Sequence, residues 1–195
     1  MPELPEVETT KRGIEPYISQ KKINSIYVSN HDLRIKFNKS KKNNILNKKI
    51  EGVRRRAKYI LIDFSNNYSV LIHLGMTGNL RIADTLSLGK HDHVAFSLNS
   101  KKHLIYNDVR RFGLILIIKK GQRNKLLENN GPDPFEKSAD YKYLHKKIEK
   151  SKATIKSILL NNRIISGIGN IYACEILFSS KISPLKLGSS ITHDE

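Results

Sequence analysis

Cysteine is nearly absent from this 195-residue chain. The single one, Cys174, excludes an internal disulfide and any zinc site built from several cysteines. Acidic residues are scarce as well: 18 Asp and Glu stand against 35 Lys and Arg, a formal charge of +17. Such an excess opposes compaction and calls for a polyanionic partner, nucleic acid first and an anionic membrane surface second. Long apolar runs are missing. None approaches the roughly 18 residues of a spanning helix, and no signal peptide opens the chain, so the sequence reads as cytosolic. Hydrophobic residues still make up 38%, enough for a packed core in one or two domains.

The chain opens Met1-Pro-Glu-Leu-Pro-Glu-Val-Glu. Pro5 suits a first helical turn, and Glu6 and Glu8 suit the positive end of the helix dipole, which predicts a helix over 5–18. Short β-type runs broken by polar turns follow at 23–29, 33–37, 50–54, 59–64, 70–74, 79–82, 93–98, 103–107 and 114–118. Eight or nine strands at this spacing read as a sandwich or barrel. A short helix within 122–130 and the turn Gly131-Pro-Asp-Pro134 come next. Helical periodicity then covers 141–150, 153–160 and 170–179. The reading is α+β: an N-terminal helix and β-sandwich domain over 1–118, a linker over 119–134 and an α segment over 135–195. Thr192 and Glu195 have the spacing of the N-cap and third position of a further helix.

Several residue groups carry chemistry. The small second residue marks Met1 for removal, which leaves Pro2 with a free secondary amine. A terminal amine titrates near roughly 8 and a lysine near roughly 10.4, so more of the terminal amine is nucleophilic at neutral pH. Its adduct with a sugar carbon is an iminium ion, an electron sink of the Schiff-base kind. Glu3 beside it can shuttle protons. Arg54-Arg-Arg-Ala-Lys58 reads as the opening of a strand, with Arg56 and Lys58 on one face and Arg55 on the other: a solubilising edge, a phosphate clamp, or a lysine assisting proton transfer. In His73-Leu-Gly-Met-Thr-Gly78 the turn carries Met76, as core filler or as an apolar wedge between bases. His91-Asp-His93, with His73 as a third candidate, fits a metal site or phosphate contacts. In Tyr106-Asn-Asp-Val-Arg-Arg-Phe-Gly113, Arg110 and Phe112 fit a probe of an orphaned base, or Phe112 belongs to the core. The glycine hairpin over 167–169 leads into a helix at Asn170, whose start offers N–H groups to phosphate.

Taken together these segments resemble the bacterial formamidopyrimidine-DNA glycosylases. The matching stretches are 1–9, 55–61, 73–78, 90–94, 108–113, 155–160 and 167–178, ending with Ile182-Ser-Pro184, in the family's order. The resemblance implies a β-sandwich followed by an incomplete helix–two-turn–helix domain. It implies a bifunctional glycosylase that excises oxidised purines such as 8-oxoguanine and cuts abasic sites by β,δ-elimination. Pro2 would be the nucleophile, Glu3 its acid–base partner and Lys58 a proton donor and phosphate contact. His73, His91, Arg111 and Asn170 would bind the backbone, with Lys152 beside Ser151, where a basic residue is usual. Met76, Arg110 and Phe112 would fill the space left by the flipped nucleotide, Arg110 facing the opposite base. Val109 replaces a usual proline, and Asn161 a usual Asp. The family continues past this point with a four-cysteine zinc finger. The implied protein is therefore a truncated, impaired form, a monomer acting on double-stranded DNA in the bacterial cytoplasm, with no metal or cofactor in this chain. An endonuclease VIII-like enzyme for oxidised pyrimidines and a non-catalytic DNA-binding remnant are the alternatives.

Overall fold

A computed structural model describes residues 2–195 and divides the chain into two compact units, one ending at Gln122 and one beginning at Arg123. The expected removal of Met1 falls outside the described residues.

The first unit begins with α1 (Leu4–Ile18). Glu3 is its N-cap, in extended conformation, and the Glu3 N–H donates to Glu6 Oε2 at 2.9 Å, the return half of a capping box. Leu4, Val7, Ile14 and Ile18 are buried on one stripe of the helix. Eight strands follow: β1 (Ile23–Val28), β2 (Ile50–Arg56), β3 (Tyr59–Phe64), β4 (Tyr68–His73), β5 (Asn79–Ala83), β6 (Asp92–Leu98), β7 (His103–Asn107) and β8 (Leu114–Lys119). They form two antiparallel four-stranded sheets, ordered β1-β6-β7-β5 and β2-β3-β4-β8. One core joins the sheets and the helix. Val7, Ile14 and Ile18 of α1 pack with Ile60, Ile62, Val70 and Ile72 of one sheet and Val94, Phe96, Leu104 and Tyr106 of the other. Each large apolar side chain so buried contributes about 1.5–3 kcal/mol.

Two strand expectations fail. The stretch 33–37 is not a strand. Leu33 and Phe37 both turn into the core while Ile35 stays exposed, and Asn38 Oδ1 then accepts from the Ser40 N–H at 3.0 Å to start a 3₁₀ turn over Lys39–Asn44. Apolar alternation there marks a loop pinned at two points. Arg54–Arg56 closes β2 instead of opening a strand, and Ala57 and Lys58 form the turn into β3.

The second unit begins with the short α2 (Lys125–Glu128); α3 (Tyr141–Ile148), α4 (Ile155–Leu159) and α5 (Asn170–Ser179) then pack around a core of their own, which includes Ile148, Ile158, Ile168 and Leu177. Asp140 and Thr154 cap α3 and α4 through their side chains. Thr192 N–H donates to Glu195 Oε2 at 3.0 Å, the expected capping contact, although no helix is formed there. Among the described residues no helix is long and apolar enough to cross a membrane.

Candidate active site and nucleic-acid interface

Pro2 is half-buried and leads directly into Glu3, which is 1% exposed. Lys58 is 8% exposed. It lies on a two-residue turn in which Ala57 takes φ +52, a left-handed conformation uncommon for a residue with a Cβ. Burial pushes the Lys58 ammonium below its ordinary value, while the Glu3 and Glu6 carboxylates act on it in the opposite sense. A carboxyl and an amine of adjusted basicity therefore stand behind the chain terminus. Arg55 fixes this arrangement. Its Nε donates to Glu8 Oε2 of α1 at 3.0 Å, and its Nη1 donates to the Ala57 carbonyl at 3.0 Å.

His73 ends β4. Its Nδ1 accepts from the Gly75 N–H at 2.9 Å, so the neutral ring carries its proton on Nε2. Burial, then the charges of Arg34 and Lys58, lower its pKa to about 4. At neutral pH His73 is thus an uncharged donor and not a cation. Tyr59 packs beside it with ring centroids 4.9 Å apart, and the Tyr59 hydroxyl is hydrogen-bonded to Arg34.

Two turns carry the exposed apolar side chains. Met76, on the turn after β4, is 41% exposed, and Phe112, on the turn between β7 and β8, is 46% exposed. The core alternatives for both are excluded. The Arg110 guanidinium lies over the Phe112 ring, 4.5 Å from its centroid. Arg111 adopts φ +58, a second left-handed residue with a Cβ. A Cβ placed on Gly75, itself at φ +67, would strike the Gly113 amide nitrogen, so the two turns meet backbone to backbone.

His91 and His93 do not act as a pair. His93 is buried, with Nε2 bonded to the Asp108 carbonyl at 2.9 Å and Nδ1 to Ser29 Oγ at 3.1 Å. Both His93 ring nitrogens are engaged by protein partners, and His73 Nδ1 is engaged by the Gly75 N–H. His91 stays half-exposed. The loop before β6 is shaped by Asp92, which accepts from Arg81 at 2.6 and 2.8 Å, Asn107 at 2.8 Å and the Gly89 N–H at 2.7 Å. Those donors hold the Asp92 carboxyl far below the ordinary range, against the cost of burial.

In the second unit Asn170 is the exposed first residue of α5, after Gly169 as N-cap, and Lys152 is exposed between α3 and α4. The hairpin before Asn170 is braced by Gly131–Pro134: Ser166 Oγ donates to Asp133 Oδ1 at 3.0 Å, and Gly131 N–H donates to the Asn162 carbonyl at 2.7 Å. A Cβ at Gly131 would collide with the Ile164 carbonyl.

Arg34, Tyr59, Thr77 and Asp108 shape the site without standing out in the sequence. The one available signal was an Asp immediately before a basic turn, at the end of an apolar strand.

Comparison with known proteins supplies the class. Residues 1–115 match the formamidopyrimidine-DNA glycosylase N-terminal domain, and residues 130–195 match the formamidopyrimidine-DNA glycosylase H2TH domain. The formamidopyrimidine-DNA glycosylase of Rickettsia felis is 43% identical over 197 residues, covering 100% of this chain and 71% of the relative. The Lactococcus lactis enzyme, bound non-covalently to DNA containing an abasic site, superposes with a TM-score of 0.90 at 35% identity, over 98% of this chain and 75% of that one. The Fpg protein of Thermus thermophilus gives a TM-score of 0.87 at 30% identity, over 99% of this chain and 70% of that one. This is the fold of a DNA glycosylase. The chain belongs to the formamidopyrimidine-DNA glycosylase family, which works in base-excision repair.

Proposed function

We infer that this chain is a bifunctional glycosylase and abasic-site lyase directed at oxidised purines, acting as a monomer on chromosomal DNA in a bacterial cytoplasm. The observation that carries this reading is the buried Glu3 carboxyl immediately behind Pro2, with buried Lys58 in its electrostatic reach. After removal of Met1, the Pro2 nitrogen attacks C1′ of the damaged nucleotide. The C1′–N bond breaks and the base leaves with a proton delivered at the site. Opening of the sugar ring gives an iminium ion. Loss of a C2′ proton then expels the 3′ phosphate, and loss of a C4′ proton expels the 5′ phosphate. Glu3 serves as the acid–base group and Lys58 as proton donor and phosphate contact. Water then hydrolyses the remaining iminium and frees the Pro2 amine.

The base lies inside the duplex stack and must be turned out before C1′ can be reached. Met76, Arg110 and Phe112 occupy the vacated space, Arg110 toward the opposite base. His73, His91 and Arg111 in the first unit, and Lys152 and Asn170 in the second, hold phosphates. His73 does so as a neutral Nε2–H donor.

The test is a duplex carrying 8-oxoguanine opposite cytosine, beside duplexes with an abasic site and with an oxidised pyrimidine. The expected result is excision of 8-oxoguanine and a one-nucleotide gap flanked by phosphates. Preferential release of the oxidised pyrimidine would instead favour endonuclease VIII-like specificity. Binding without product would favour a non-catalytic DNA-binding protein.

A further inference from the structure

The Asp108 side chain is 0% exposed, yet it lies between two surface turns. Its Oδ1 accepts from Thr77 Oγ1 at 2.6 Å. Its Oδ2 accepts from the Gly113 N–H at 2.9 Å and from the Tyr106 hydroxyl at 3.1 Å. Thr77 Oγ1 in turn accepts from the Arg110 N–H at 3.1 Å. One carboxylate therefore ties the turn that bears Met76 to both ends of the turn that bears Arg110 and Phe112. Its backbone is held as well: the Asp108 N–H donates to the His91 carbonyl at 3.0 Å, and the Asp108 carbonyl accepts from His93 Nε2.

Closing the turn between β7 and β8 needs only the bonds to Gly113 and Tyr106. The Thr77 bond does something else. Thr77 is an exposed residue on a different turn, 31 positions away in the chain, and its hydroxyl relays the carboxylate to Arg110. Charge-assisted bonds of this length are among the stronger ones and fix geometry. Two turns held at this point cannot open independently.

We propose that the Thr77–Asp108 latch is the positioning device that makes Met76, Arg110 and Phe112 enter the duplex as one preset unit. The proposal rests on the reading above, in which those three side chains fill the space of the flipped nucleotide. Preorganisation lowers the ordering cost of insertion, so losing the latch slows insertion more than it unfolds the protein.

The test uses the 195-residue chain and a duplex with 2-aminopurine opposite a tetrahydrofuran abasic analogue, whose fluorescence reports insertion. Thr77→Val keeps the side-chain shape and removes the hydroxyl. Thr77→Ser keeps the hydroxyl. The Val variant is expected to slow the fluorescence change about tenfold, the effect of one lost charge-assisted bond, and the Ser variant to restore it. Met76→Ala and Phe112→Ala should be non-additive with Thr77 present and additive in the Val background, because only latched turns share their effects. If Met76→Ala and Phe112→Ala each slow insertion but Thr77→Val does not, the latch is wrong and the wedge reading stands. If neither alanine variant slows insertion, the wedge reading and the latch fall together.

Discussion

Arg55 joins the helix behind Pro2 to the turn that carries Lys58, donating to Glu8 of α1 and to the Ala57 carbonyl, each at 3.0 Å. Burial raises the Glu8 pKa, but the bonds from Arg12 and Arg55 and the charge of Lys11 bring it below the ordinary value. The contact sets where Glu3 stands relative to Lys58. Arg55→Met should cost about 1.5–3 kcal/mol, the range for a hydrogen bond to a charged group, and should lower excision beyond that loss of stability. Chemical denaturation and single-turnover excision on the same samples check both halves.

The His73 environment produces a pH dependence with a definite sign. The folded-state value of about 4 lies below the ordinary 6.5. Between these values the unfolded chain takes up a proton that the folded chain refuses. Stability is therefore full above pH 6.5 and falls as the pH drops toward 4, by up to about 3 kcal/mol. His73→Asn keeps an acceptor for the Gly75 N–H and should remove this component. Urea unfolding of both proteins at several pH values between 7 and 4 measures the difference.

Phosphate contacts set the salt dependence of binding. Lys58, Arg111 and Lys152 are the proposed cationic contacts, whereas His73 is neutral and releases no counterion. Three neutralised phosphates give a slope of log affinity against log salt of about −3, and Arg111→Ala should flatten it by about 0.9. A salt titration of abasic-site duplex binding gives both slopes.

Phe112 separates surface from core directly. At 46% exposure, under the Arg110 guanidinium, its replacement by alanine should cost less than about 1 kcal/mol, far from the roughly 3–5 kcal/mol of a buried Phe. Insertion into damaged duplex should still fall. Thermal melting and the 2-aminopurine signal report the two effects.

Much of this was legible in the residues because burial imposes period. The apolar runs in β3, β4 and β8 sit inside a two-sheet core and read as strands on sight. The helix at Asn170 was marked by the glycines before it. What stayed hidden depends on chain-distant meetings. Alanine is not a turn former, so the left-handed Ala57 that places Lys58 gave no signal. The stretch 33–37 alternates like a strand because two apolar residues pin a loop. The His91-Asp-His93 spacing suggested shared ligation, and only the partners of His93 show that its ring is spent on structure. Asp108 was visible as a residue but not as a junction, because sequence does not show which turns meet.

The proposed chemistry turns on the Pro2 amine as nucleophile. The direct measurement is borohydride reduction of the chain with abasic-site duplex, followed by mass spectrometry of the adduct. The expected result is a single cross-link on the N-terminal peptide at Pro2, and excision suppressed in Glu3→Gln more than cleavage of a preformed abasic site. A cross-link on an internal lysine such as Lys58, with none at Pro2, would contradict it.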